Sequence, residues 1–305
     1  EDIEGVSSIE DLKDPELAGR MGRAMKARMG KGDVATNLHV CSLITNAFLM
    51  TGDHKYCDWL LEYVDAWIER ADANDGLLPD NVGLDGTVGQ YLDGKWYGSQ
   101  YGWTWPHGFY NIVMAAILSG IQCYLFTKDE KYLELPRAQI RKVMSLGRMD
   151  NLETLATQMS LRQHWIGQFA ALEDPVSWVV PYRYADSGWF DYQPMAPMYP
   201  AALWNVCAAD EDWNTIQDIR EKESYDWRKV TSFHAKDDAG HEQPWIAFLQ
   251  GENPDYPVKV LQASLAQVYR RCEQIRQDKT DPCDNHIHWW QQLNPVTTEA
   301  LIQLT

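Results

Sequence analysis

Met50-Thr51-Gly52-Asp53-His54-Lys55-Tyr56 joins an apolar run to an amphipathic one, and Phe126-Thr127-Lys128-Asp129-Glu130-Lys131-Tyr132 repeats the arrangement further along the chain. Weaker echoes occur at Ala209-Asp210-Glu211-Asp212-Trp213 and Gly251-Glu252-Asn253-Pro254-Asp255-Tyr256. A short turn of this kind, recurring about four times and ending in an aromatic residue, makes a helical hairpin the unit of the fold.

The runs on either side differ in pattern. Asn37 to Met50 is apolar on nearly every side, so it reads as an inner helix. Its partner from Tyr56 to Arg70 places Leu60, Leu61, Val64, Trp67 and Ile68 at helical spacing, with Asp58, Glu62, Asp65 and Glu69 on the opposite face. Ile112 to Phe126 and Tyr132 to Leu146 form a second such pair, with Pro136 tolerable near the start of its helix. Met198 to Cys207 with Trp213 to Glu221 form a third. The fourth pairs a short run, Pro244 to Gln250, with a helix that carries Leu261, Leu265, Val268, Cys272 and Ile275 on one stripe. Residues 9 to 29 supply one more helix and Leu152 to Gln168 at least another.

Alternating all-apolar and two-faced helices bury best as an inner and an outer ring. The pattern resembles the six-hairpin α/α toroid, with the Thr-Gly-Asp-x-Lys-Tyr turn as its match in sequence, and it predicts an all-α fold: one (α/α) toroid domain over residues 1–305. That architecture is found mostly in glycoside hydrolases, polysaccharide lyases and sugar epimerases, so the resemblance implies a carbohydrate-active enzyme. It also implies that the tight turns lie on one face of the ring and the long links, where a site could be built, on the other.

Composition narrows the partners. The 305 residues are 45% apolar and carry a formal charge of −17, which repels nucleic acid phosphates and anionic membrane surfaces. Neither is expected as a partner. The longest apolar stretch, Ile112 to Phe126, reads as too short for a membrane span. Cys41, Cys57, Cys123, Cys207, Cys272 and Cys283 form no C-x-x-C pair and read as buried thiols. The chain opens on Glu1-Asp2-Ile3 without a methionine and ends inside a continuing element, which suggests a piece of a longer or processed protein. A polymer-degrading role would place it outside the cytoplasm, secreted or periplasmic.

The first long link, Asn74 to Gly108, holds eight glycines in 35 residues, with Tyr91, Trp96, Tyr97, Tyr101, Trp103 and Trp105. Glycine admits close backbone approach to a ligand, and flat aromatic faces stack on pyranose rings. Trp96, Tyr97, Tyr101, Trp103 and Trp105 are therefore candidate sugar platforms, unless the loop only packs on itself. Asp80, Asp85 and Asp93 add carboxylates, although Asp93-Gly94 also reads as a turn. His107 precedes the next helix. The second link, Pro181 to Pro200, repeats the composition with Tyr182, Tyr184, Trp189, Phe190 and Tyr192 around Arg183, Asp186 and Asp191. Arg183 could bind a uronate carboxylate bidentately or merely stack between its tyrosines. A third link carries His241, and a last one carries His286 and His288, whose spacing is common by chance, so no metal and no cofactor is expected.

Two reactions fit these residues. A glycoside hydrolase needs two carboxyls, for which an inverting pair of Asp85 and Asp191, drawn from different links, is the choice. A polysaccharide lyase needs a base, an acid and a group that neutralises a uronate, supplied by His107, by Tyr97 or Tyr101, and by Arg183 or Asn111. A toroid that binds carbohydrate without cleaving it is the third reading. In each, Asp80, Asp93, Trp96, Tyr101, Trp103, Trp105, Arg183, Trp189, Tyr192 and His241 would touch a poly- or oligosaccharide. No nucleophile elbow, phosphate loop or dinucleotide fingerprint competes.

Overall fold

The recurrent turn is made of side chain and backbone together. In the computed structural model, which describes residues 3–29, 31–152, 154–155, 176–223 and 242–277, helix α2 (Cys41–Thr51) ends on Gly52 at φ 68°, whose N–H donates to Phe48 O at 2.7 Å. The Thr51 hydroxyl donates to Ala47 O and accepts from Asp53 N–H. The Asp53 carboxylate then accepts Lys55 N–H at the start of α3 (Lys55–Ala73). The second copy repeats this bond for bond. Thr127 closes α4 (Gly108–Thr127), Lys128 takes the left-handed position at φ 59°, and Asp129 accepts Lys131 N–H as α5 (Lys131–Ser145) begins. Threonine and aspartate satisfy the end of one helix and the start of the next, which is why the pattern recurs.

The four predicted hairpins are present: α2 with α3, α4 with α5, α6 (Met198–Cys207) with α7 (Asp210–Lys222), and α8 (Glu242–Leu249) with α9 (Tyr256–Gln277). They follow α1 (Pro15–Met29), with short 3-10 turns at Ile9–Lys13 and Ala35–Val40. Helix α4 is the buried centre of the first hairpins. Phe109, Ile112, Val113, Ala116 and Cys123 are closed to solvent, and α5, α2 and α3 pack around it. It has 20 residues, with a mean hydropathy of 1.6 over its most apolar 18, so by length and composition it could cross a membrane. The expectation of a shorter run fails because the helix starts at Gly108, four residues before the apolar stretch. Helix α2 differs from the inner-helix reading. Leu43, Leu49 and Met50 stand exposed, since its neighbours α3 and α4 leave one side of it open.

The all-α toroid is overturned. Among the described residues are three antiparallel strands in the order β1-β2-β3: β1 (Arg148–Asn151), β2 (Val176–Ala185) and β3 (Gly188–Gln193). Strand β1 pairs Arg148 with Val179 and Asn151 with Val176, and β3 pairs Gln193 with Val180 and Gly188 with Ala185. The reason lies in Val176-Ser-Trp-Val-Val-Pro-Tyr-Arg-Tyr-Ala185, where β-branched and aromatic residues favour extended backbone. Asp186-Ser187 closes a two-residue hairpin before Gly188 at φ 91°. The segment read as a link between helices is therefore a β-hairpin. The helix expected over Leu152 to Gln168 lies almost wholly outside the described residues.

By its internal contacts the chain divides into two compact units. The first comprises Glu1–Gly147 with Val180–Gln193, and the second Arg148–Val179 with Pro194–Thr305. In the first, α5 lies so close to α4 at Gly120 that a Cβ there would collide with Tyr132 O. Gly120→Ala should therefore destabilise the protein by about 1–3 kcal/mol despite alanine's better helix propensity. Chemical denaturation checks this, and an unchanged midpoint would show that the hairpin can open at no cost.

Candidate functional site

The two aromatic-rich segments meet in the first unit. Tyr184 N–H of β2 donates to Trp103 O at 3.1 Å, the Thr104 hydroxyl donates to Tyr184 O at 2.8 Å, and the Arg183 guanidinium donates to Thr104 O. Residues 103–104 of the glycine-rich link thus run along one edge of β2 while β3 occupies the other.

Asp80 holds the link in this position. Its carboxylate accepts N–H groups from Gly98 at 3.0 Å, Ser99 at 3.1 Å and Trp103 at 2.8 Å, and its own N–H donates to Trp96 O. The side chain is closed to solvent, and burial pushes its carboxyl up to about 7 against the pull of the three N–H donors. Gly102 has to be glycine, because a Cβ there would run into the Asp80 carboxylate. Asp80 therefore organises the loop and is not a group that touches ligand. Trp103 is likewise buried, with Nε1–H donating to Leu78 O at 2.8 Å, so it is core and not a sugar platform.

Around that core lies a partly open aromatic wall. Trp96 and Tyr184 are 4.8 Å apart between ring centroids, as are Tyr97 and Tyr184, and Trp189 lies 5.0 Å from Tyr184 and 5.4 Å from Trp103. Trp96, Tyr97, Tyr184 and Trp189 are half-buried. At the edge of the wall the exposed Asp186, in the hairpin turn, accepts both from Lys95 Nζ (2.9 and 3.0 Å) and from Tyr97 OH (2.9 Å). Lys95 and Tyr97 hold the Asp186 carboxyl below its usual value, while burial and then Asp186 raise the Tyr97 phenol. At neutral pH this is an ionised carboxylate beside a lysine and a protonated phenol.

The remaining predicted residues have other placements. Asp85 is exposed and accepts Thr87 N–H at 2.9 Å and Gln90 Nε2–H at 3.2 Å; the Thr87 hydrogen bonds lower its carboxyl, and it caps a turn. Strand alternation would put Asp191 on the Trp189 face. Its left-handed backbone, φ 61°, instead turns the carboxylate to Arg183, with Nη1 at 3.6 Å, and only 6% of the side chain is exposed. Burial raises the Asp191 carboxyl although Arg183 opposes it. Asp85 and Asp191 thus serve separate partners. Arg183 also lies over Phe190, 4.6 Å from the ring. Asp93 sits in an exposed turn at φ 55°. Tyr101 packs on Trp105 at 5.1 Å, His107 precedes α4 with its ring 6.4 Å from Tyr110, and Tyr192 faces Pro181 across the hairpin. His241, His286 and His288 lie outside the described residues, among which no group of three or more metal-binding side chains occurs.

Sequence reasoning missed Lys95, whose only signal was its place two residues before Tyr97. It also passed over Glu223 in the second unit, at the end of α7. That carboxyl is buried, accepts Met195 N–H and is raised well above its usual value. The five described cysteines are free, and burial pushes the Cys41 thiol up to about 12, so it is unreactive.

Asp80 sets a pH dependence. Its carboxyl titrates near 7 when folded and near 4 when unfolded, so between those values the folded state holds a proton that the unfolded chain has lost. Its contribution to stability is full below about pH 4 and falls as pH rises to about 7. Asp80→Asn puts an amide where an N–H needs an acceptor, which should cost about 1–3 kcal/mol at pH 5. Because asparagine does not titrate, the gap between wild type and variant should narrow toward pH 8. Thermal melts at both values check this, and a gap independent of pH would contradict it.

No curated protein and no solved structure is detectably similar to this chain. Residues 1–302 match the family described as "Domain of unknown function (DUF8034)", and since that match spans nearly the whole chain, the protein belongs to that family.

Proposed function

We propose that this protein binds a poly- or oligosaccharide across the wall formed by Trp96, Tyr97, Tyr184 and Trp189. The observation that supports this reading is the pairing of half-buried aromatic rings with an ionised carboxylate, a lysine and a phenol at their edge. Aromatic faces take the C–H surface of a pyranose, and Asp186, Lys95 and Tyr97 offer the acceptors and donors its hydroxyls need. Hydrolysis by a carboxylate pair fits less well. Asp186 lies in the turn and Asp191 three residues beyond Gly188, about 10 Å of strand away, with its side chain nearly closed to solvent.

β-Elimination on a uronate-containing glycan is the second reading, and one feature favours it. The Tyr97 phenol keeps its proton as an acid must, and the adjacent Lys95 can neutralise a carboxylate.

Titration with neutral and uronate oligosaccharides, followed by tryptophan fluorescence and calorimetry, tests the proposal. Binding should weaken at least about tenfold when Trp96 and Trp189 are both changed to alanine. Absence of binding to any glycan, or equal affinity of wild type and variant, would overturn it. New absorbance near 235 nm, lost in Tyr97→Phe while binding persists, would establish elimination.

A further inference from the structure

Helix α9 has two apolar faces, and the described residues of its own unit cover one. Tyr256 and Val260 are closed to solvent and pack against Trp245 and Phe248 of α8 and the turn after it, with Ala263 continuing the same face. The stripe expected to be buried is a different one. Val258 is 59% exposed, Leu261 42%, Leu265 56% and Tyr269 73%. Along this second face Val258, Leu261, Leu265, Val268, Cys272 and Ile275 recur at alternating spacings of three and four. This is the a/d repeat of a coiled-coil seam, which pairs with another helix along its whole length.

We infer that this seam is the contact between two copies of the chain, whose α9 helices pair antiparallel about a two-fold axis near residues 266 and 267. Three features favour a second copy in that orientation. A two-fold antiparallel arrangement is self-complementary along the repeat, setting Val258 against Ile275, Leu261 against Cys272 and Leu265 against Val268. Charge is unequal along the helix. Glu252, which Arg220 also reaches, and Asp255 precede it, and Lys259 is the one basic residue of its first half. Its last two turns carry Arg270, Arg271 and Arg276 with a single acid, Glu273. Antiparallel pairing brings Arg276 of each helix within a turn of Asp255 of the other and opposes the two helix dipoles, whereas parallel pairing sets arginine on arginine. The exposed apolar area of the stripe is on the order of 400 Å² per copy, the size of patch that commonly marks an interaction site and about half of what one partner buries in a standard interface. A contact of this size makes the dimer weak and reversible.

Sedimentation velocity of the full chain from about 1 to 200 µM tests this. The mass should rise from 35.1 kDa toward twice that value. The double variant Leu261→Glu, Leu265→Glu alters exposed positions only, so it should keep the wild-type circular dichroism and melting curve and weaken association at least about tenfold. A wild type that stays at 35.1 kDa throughout, or a dimer indifferent to the double variant, overturns the inference. Mild oxidation reads the direction. Leu261→Cys should form a cross-linked dimer with Cys272 of the second copy, lost when Cys272→Ser is added. Cross-linking of the wild type through Cys272 alone would mean parallel helices and would overturn the antiparallel arrangement.

Discussion

A single buried carboxylate underlies the arrangement of the first unit. Asp80 gathers three backbone N–H groups from residues 98–103, and each would be an unsatisfied donor in the interior without it. A loop with glycines at 94, 98 and 102 has much conformational freedom to lose, and three hydrogen bonds to one residue offset that loss locally. Burial raises the carboxyl at the same time, so the loop is held by a group whose own ionisation opposes its position. The close approach at Gly102 follows, since the backbone can reach the carboxylate only where no side chain stands in the way.

From this anchor the rest of the site is positioned by backbone. Trp103 turns its ring into the core and its carbonyl toward Tyr184 N–H, which fixes the link to β2. The half-buried rings of Trp96 and Tyr97 are thereby set against Tyr184 and Trp189 from the hairpin. Lys95, Tyr97 and Asp186 close the seam with hydrogen bonds between residues about ninety positions apart in sequence. Rings and charges held this way are arranged before any ligand arrives, so ordering them need not be charged against binding.

What was legible in the sequence follows the range of the interactions. The helical hairpins were readable because the Thr-x-Asp turn is a local hydrogen-bond pattern, complete within a few residues. The meeting of the two aromatic segments was readable as composition. The strands were not, because Pro181 to Pro200 has aromatic residues and turn formers that suit a loop as well as a hairpin, and edge pairing with residues 103–104 depends on partners far away in sequence. Asp80 and Asp85 looked alike as carboxylates in a glycine-rich link. Only the fold decides that one collects backbone donors in the interior and the other caps a surface turn. Asp191 likewise read as one more loop carboxylate, and only the fold shows its positive φ and its place beside Arg183. The apolar stripe on α9 was read correctly as a stripe, but periodicity does not say whether a face is covered from within or from outside.

Asp80 holds the aromatic link in place without a ligand. Native-state hydrogen exchange of residues 96–105 in the unliganded protein tests this most directly. The account predicts that the amides of Gly98, Ser99 and Trp103 exchange slowly, as protected as the ends of the neighbouring helices. Exchange of all three at the rate of an open loop would contradict it, because the carboxylate would then not be holding them.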